Sequence, residues 1–250
     1  MLTEREKNIL KCIVEEYVNT AQPVGSSYLV RKYRLDISPA TVRNTMMSLE
    51  KKGYIVSPHT SAGRVPTEKG YKFYISSEFV DNEIKKIETD FKKMSVKYLR
   101  KLKQYYKERG EISIRDVLKC MAKVTAEEVK NAVIVAFDKN DVYFTGISYL
   151  LSHPEYKDDE LLYNISTTID RVDEILNEIL DELPTGLNIL IGSDNPFADD
   201  SAFIGFKYQP QRDQSSLVGI LGPMRMPYIE NIERIEFLKN FLVRDIKLNF

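Results

Sequence analysis

Residues 38–66 read SPATVRNTMMSLEKKGYIVSPHTSAGRVP, and this stretch decides how the first third of the chain folds. Ser38 suits a helix N-cap. Pro39 suits the first helical position, where its missing N–H costs nothing and its φ is already helical. Val42, Met46 and Leu49 follow at helical spacing and predict one buried face. Ala40, Asn44, Met47 and Lys51 fall on the opposite face, flanked by Thr41, Arg43 and Ser48. Gly53 stops the helix. Tyr54, Ile55 and Val56 then read as a strand, and residues 57–63 as a turn-rich tip that carries His59. Arg64 and Val65 begin a return strand that ends at Pro66.

The segments on the N-terminal side extend the pattern. Thr3 with Glu6 is a capping box that opens a helix over residues 3–19, and Ile9, Leu10, Ile13, Val14 and Tyr17 form its apolar face. After Pro23 a short helix runs to about Tyr33, capped at Ser26 or Ser27. Tyr28 and Leu29 are expected to point inward, and Arg31, Lys32 and Arg34 outward. Three helices followed by a hairpin is the winged helix-turn-helix plan. The outer face of the third helix is slim at its start, polar in its middle and basic at its end. A helix entering a major groove needs that order: small side chains near the bases, one bidentate-capable amide, and cations that reach phosphate. The competing readings are a merely solvated face, or a winged module that contacts protein without sequence-specific DNA binding.

Charge follows the same division. The whole chain has a formal net charge of −1, yet residues 1–72 contain 12 Lys and Arg against 7 Asp and Glu. A basic first module suits contact with a polyanion.

Downstream, Thr67 caps another helix, with Tyr71, Phe73 and Tyr74 packing it onto the first module. Val80, Ile84, Ile87, Phe91, Met94 and Tyr98 then recur at alternating spacings of four and three, with Leu102 and Tyr105 continuing the stripe. They predict a long linker helix whose seam either pairs with a second copy or buries against the second domain. A helix over residues 114–122 leads to a strand at Val133–Phe137, a turn at residues 138–141, and a returning strand at residues 142–144. Residues 159–183 read as helical, residues 187–191, 203–208 and 217–221 as strands, and residues 229–242 as a last helix. Gly219, Gly222 and Pro223 read as strand-end geometry. The expected class is α+β with a mostly antiparallel sheet.

Composition narrows the function classes. The chain is 43% hydrophobic and 29% charged, an ordinary globular balance. No apolar run approaches the roughly 18 residues of a membrane span, and the TEREKN start has no signal-peptide core. A cytoplasmic protein without membrane contact is therefore expected. Two cysteines and two histidines, with no CxxC, support neither a disulfide framework nor a metal site. His153 has no second histidine nearby, Asp138 and Asp141 flank a turn, and Gly192–Pro196 lacks the multi-glycine fingerprint of a phosphate cradle. These residues predict no enzyme and no cofactor.

The sequence resembles the heat-inducible transcription repressor family, bacterial regulators of chaperone operons. The motifs that carry the resemblance are PVGS at 23–26, SPATVRN at 38–44, LEKKGY at 49–54 and HTSAGRVPTEKGYKFY at 59–74. PEYKD at 154–158, IGSDN at 191–195 and GILGPMRMPY at 219–228 extend it to the far end. The resemblance implies a homodimeric repressor of heat-shock operons that binds an inverted-repeat operator, with the chaperonin as modulator of its activity. It implies a winged domain over 1–75, a linker helix over 76–110 and a GAF-like domain over 111–250. It also implies DNA contacts from Ser38, Ala40, Thr41, Arg43, Asn44 and Met47 on the helix, and from His59, Ser61, Gly63, Arg64 and Pro66 on the wing. Lys51 joins them from the face analysis, as a phosphate contact. The chain departs from the family in length: residues 123–140 alone stand where members carry further strands and an inserted dimerisation segment. Pro227 stands where members usually have an acidic residue.

Overall fold

The computed structural model describes residues 1–59, 63–76, 96, 98, 100–104, 107, 113–211 and 214–240. Contacts divide the chain into two compact units, Met1–Glu83 with Met224–Pro227, and Ile84–Pro223 with Tyr228–Phe250. The predicted linker-helix seam falls almost wholly outside the described residues. Within it, Tyr98 is buried and Leu102 half-buried.

The first unit is built on α1 (Glu4–Thr20), α2 (Ser26–Tyr33), α3 (Pro39–Lys51), a two-stranded antiparallel hairpin of β1 (Ile55–Val56) and β2 (Val65–Pro66), and α4 (Glu68–Ile75). Its helix starts are locally encoded. Thr3 and Glu6 form the expected capping box, Ser38 accepts from the Thr41 amide, and Thr67 accepts from the Gly70 amide. The N-cap of α2 differs from expectation: it is Gly25, which offers no side-chain cap. Ile9, Leu10, Ile13, Leu29, Val42, Leu49 and Ile55 are fully buried, each burial stabilising by about 1.5–3 kcal/mol before entropy is set against it. Tyr28, expected inward, is 40% exposed. Its hydroxyl donates to Glu16 at 2.6 Å, so the ring lies along the surface with its polar end satisfied.

The second unit holds a five-stranded antiparallel sheet in the order β4-β3-β7-β6-β5. The strands are β3 (Ala132–Asp138), β4 (Asp141–Thr145), β5 (Gly186–Ile191), β6 (Ser201–Gln211) and β7 (Gln214–Pro223). Its helices are α5 (Ile114–Val129), α6 (Ile147–Leu150), α7 (Asp159–Asp170), α8 (Val172–Ile179) and α9 (Tyr228–Asn240). Ala132, Ile134, Ala136, Phe203, Leu217 and Leu221 face one core, with Leu150, Ile165 and Leu176 packed against them. Their alternate neighbours Val133, Val135, Ile204 and Ile220 are buried as well, and α5 and α9 contact β3 and β6 respectively. Covering both faces explains why these strands read as continuous apolar runs where an antiparallel sheet open on one side would alternate.

Three expectations are corrected here. The helix expected to stop at Ala122 continues to Val129, because Val124, Thr125 and Ala126 are buried within it. The continuous helical region over 159–183 is broken at Arg171 into α7 and α8. Gly219 lies inside β7 and not at its end: it pairs with Gly205 of β6, and a Cβ at either position would fall within 2.5 Å of the Phe203 ring. The paired glycines open the slot that this buried ring fills, beside Phe197 at 5.0 Å between centroids. Between α5 and β3 stand only Lys130, whose φ is +53°, and Asn131.

Candidate nucleic-acid interface

The outer face of α3 is assembled by burial of the inner one. Val42, Thr45, Met46 and Leu49 are buried, whereas Ala40, Arg43, Asn44, Met47 and Lys51 are exposed, Met47 at 47%. Among the described residues, Arg43, Asn44 and Lys51 have no side-chain partner, so their polar groups are available to a ligand. Ser38 and Thr41 occupy the start of the helix, their hydroxyls 3.0 Å apart.

A single carboxylate fixes the other end of α3. Glu6 accepts from Lys52 Nζ at 2.6 Å, from Ser48 Oγ at 2.7 Å and from the Thr3 amide at 2.7 Å. The Lys52 bond, reinforced by those from Thr3 and Ser48, lowers the Glu6 carboxyl to about 2. A depressed carboxyl stabilises the fold above its ordinary value and loses that contribution as it is protonated in the folded state. The stability advantage of wild type over Glu6→Gln is therefore expected to be complete above about pH 4.5, and to shrink as pH falls toward about 2. Urea unfolding across that range checks it.

Glu16 plays a comparable part under α2, joined to Lys32 at 2.7 Å and to the Tyr28 hydroxyl. Burial works to raise its carboxyl, but these partners outweigh burial and hold it below the usual range.

The hairpin is tied to the unit by its return arm. Arg64 and Val24 exchange two backbone hydrogen bonds of 2.9 Å, extending the hairpin by one isolated bridge. Gly63 precedes that bridge because a Cβ there would stand 2.5 Å from the Val24 carbonyl carbon and oxygen. Its absent side chain is thus required by a neighbouring backbone within the unit. Arg64 turns toward α3, with its Nε and one terminal nitrogen 3.0 Å from Glu50. His59 is exposed at the tip, its carbonyl accepting from Ser57 Oγ at 2.6 Å. Pro66 closes β2 and is buried. Ser61 lies outside the described residues. The start of α2, a feature the sequence reading passed over, lies beside Arg43 and Arg64.

Among the described residues, no comparable chemistry gathers elsewhere. Cys12 and Cys120 are buried thiols, and burial pushes Cys12 up to about 11. The His153 ring nitrogen lies 2.8 Å from the Lys130 carbonyl. Among the described residues, no group of three or more His, Cys, Asp or Glu could hold a metal ion, and no helix is long and apolar enough to cross a membrane.

Comparison with known proteins supplies an independent line. The family described as HrcA protein C terminal domain matches residues 25–232. A heat-inducible transcription repressor HrcA from Acetivibrio thermocellus is 31% identical over 267 residues, covering 98% of this chain and 75% of that protein. The protein of the same name from Carboxydothermus hydrogenoformans is 27% identical over 334 aligned positions, 97% of each chain. That alignment is longer than this chain, so the relative carries residues that this chain lacks. The Geobacter sulfurreducens repressor of that name is 52% identical over 89 residues, 36% of this chain. A hypothetical protein whose crystal structure was determined at 2.2 Å shares the fold over 97% of this chain and 98% of its own, with a TM-score of 0.70 at 18% identity.

Proposed function

The chain belongs to the HrcA family, and from that membership we propose that it is a repressor of heat-shock operons that binds DNA through α3. The family is one of transcription regulators and not of enzymes. In this reading residues 1–75 are a winged helix-turn-helix domain, residues 76–110 a linker helix and residues 111–250 a GAF-like domain. Two copies hold two recognition helices on an inverted repeat ahead of chaperone or chaperonin operons, since a two-fold site calls for two-fold protein symmetry. Occupancy at normal temperature prevents induction, and the chaperonin modulates the active fraction in the cytoplasm.

The carrying observation is the outer face of α3, where Arg43, Asn44 and Lys51 are exposed above a fully packed inner face. Ala40 lets the helix approach closely. Asn44 and Arg43 read or approach base edges. Ser38, Thr41 and Met47 flank them, and Lys51 reaches phosphate. His59, Ser61, Gly63 and Arg64 form the wing, with Arg64 contacting the backbone. In this reading residues 123–140 stand where the family's longer centre would lie. The dimer interface is then made by the linker helix or the remaining sheet.

Fluorescence anisotropy separates this reading from a winged module that contacts only protein. A duplex carrying the family's inverted repeat is expected to bind more tightly than a scrambled duplex, and both more weakly as salt rises. Equal binding to both duplexes, indifferent to salt, rejects it.

A further inference from the structure

The first turn of α2 borders an open groove of about 570 Å³. Gly25, Ser26, Ser27, Arg31, Arg43 and Arg64 are among its lining residues. Four features of this groove bear on what it holds. Gly25 provides no side-chain cap, so the amides of that turn have no side-chain acceptor. Ser26 is only 9% exposed, yet it opens on the groove, and among the described residues its hydroxyl has no hydrogen-bond partner. Arg31 and Arg43 have no acidic partner among the described residues, while Arg64 is matched by Glu50. Finally, Arg43 belongs both to the groove and to the exposed face of α3.

Each feature selects for an anion. A helix N-terminus carries partial positive charge and outward N–H groups. A hydroxyl that is nearly buried and unpartnered is a donor waiting for an acceptor, and two free guanidiniums suit phosphate geometry. The groove is open, which suits an oxygen presented by a large polyanion better than an enclosed small molecule. Because Arg43 joins the groove to the α3 face, a duplex laid along α3 brings its sugar–phosphate backbone over the groove.

We propose that the groove is a seat for one backbone phosphate of the bound duplex. The first-turn amides of α2 and the hydroxyls of Ser26 and Ser27 hold it, and Arg31 and Arg43 stand at its rim. This assignment rests on the DNA-binding reading of α3 and adds a contact that orients the helix without reading sequence.

Ser27→Asp tests it, because the two roles of that position predict opposite signs. Ser27 is exposed, and an acid in a helix's first turn favours the helix, so the thermal midpoint is expected to hold or rise. A carboxylate placed there repels a phosphate. Affinity for the inverted repeat and for a scrambled duplex is expected to fall together by about tenfold, and the salt slope by about one. Ser27→Asn, which keeps a donor and adds no charge, is expected to lose affinity by a smaller factor than Ser27→Asp. Unchanged affinity and slope in Ser27→Asp would overturn the phosphate seat while leaving the operator reading intact. Saturable binding of inorganic phosphate to the full chain, together with unchanged duplex binding by Ser27→Asp, assigns the groove to a free anion and also overturns it. Wild type that binds no duplex overturns both readings.

Discussion

Replacing Asn44 by alanine is expected to cost about 1–3 kcal/mol of affinity for the inverted repeat, roughly ten- to hundredfold, and almost nothing on a scrambled duplex. The asymmetry follows from what the side chain can do. An amide offers a donor and an acceptor on one plane, the pair that an adenine edge accepts in the major groove. Asn44 stands mid-helix on the exposed face, where its amide has no partner among the described residues. Removing it therefore leaves the fold untouched, and a measured loss is a binding loss. Anisotropy titrations on both duplexes, at one salt concentration, decide the matter. Equal losses on the two duplexes would move Asn44 from reading bases to positioning the backbone.

The other large effect is structural. Gly63→Ala is expected to lower the stability of the first unit by about 2–3 kcal/mol, because the new Cβ displaces the Val24 backbone and breaks both bonds of the bridge to Arg64. Val24 is buried, so its freed N–H and C=O find no water to replace the bridge. The urea midpoint should fall, and hydrogen exchange at the Val24 and Arg64 amides should accelerate far more than at the core of α1. If affinity falls while protection at those amides is kept, the glycine is needed for close approach to DNA alone.

How much of this was legible in the sequence depends on the range of the interaction. The Ser38 cap, Pro39 and the buried triplet of Val42, Met46 and Leu49 are local signals, and α3 lies where they put it. The hairpin and the β3–β4 pair follow equally from turn residues and short apolar runs. Groups that meet across the chain were not legible. Glu6 read only as half of the α1 capping box, yet it also bonds Lys52 at 2.6 Å and holds α1 to the end of α3. Arg64 read as a wing residue of the return strand, with nothing local to show that Glu50 of α3 holds it. Tyr28 shows why an aromatic at helical spacing misleads: its ring fits an inward position, but its hydroxyl is drawn to Glu16. Val124 and Thr125 are β-branched and poor helix formers. Their burial inside the helix overrides that propensity, and the Thr125 hydroxyl meets the Tyr98 hydroxyl at 2.8 Å.

The carboxylate of Glu6 also bears on how the protein can be handled. It closes the capping box of α1 and grips Ser48 and Lys52 with the same two oxygens. A purification handle fused close to Met1, or trimming that unwinds the first turn, would release the tail of α3 along with the cap. A short flexible spacer ahead of Thr3 keeps the two ends of that linkage together, and leaves the register of the exposed helix face as the native chain sets it.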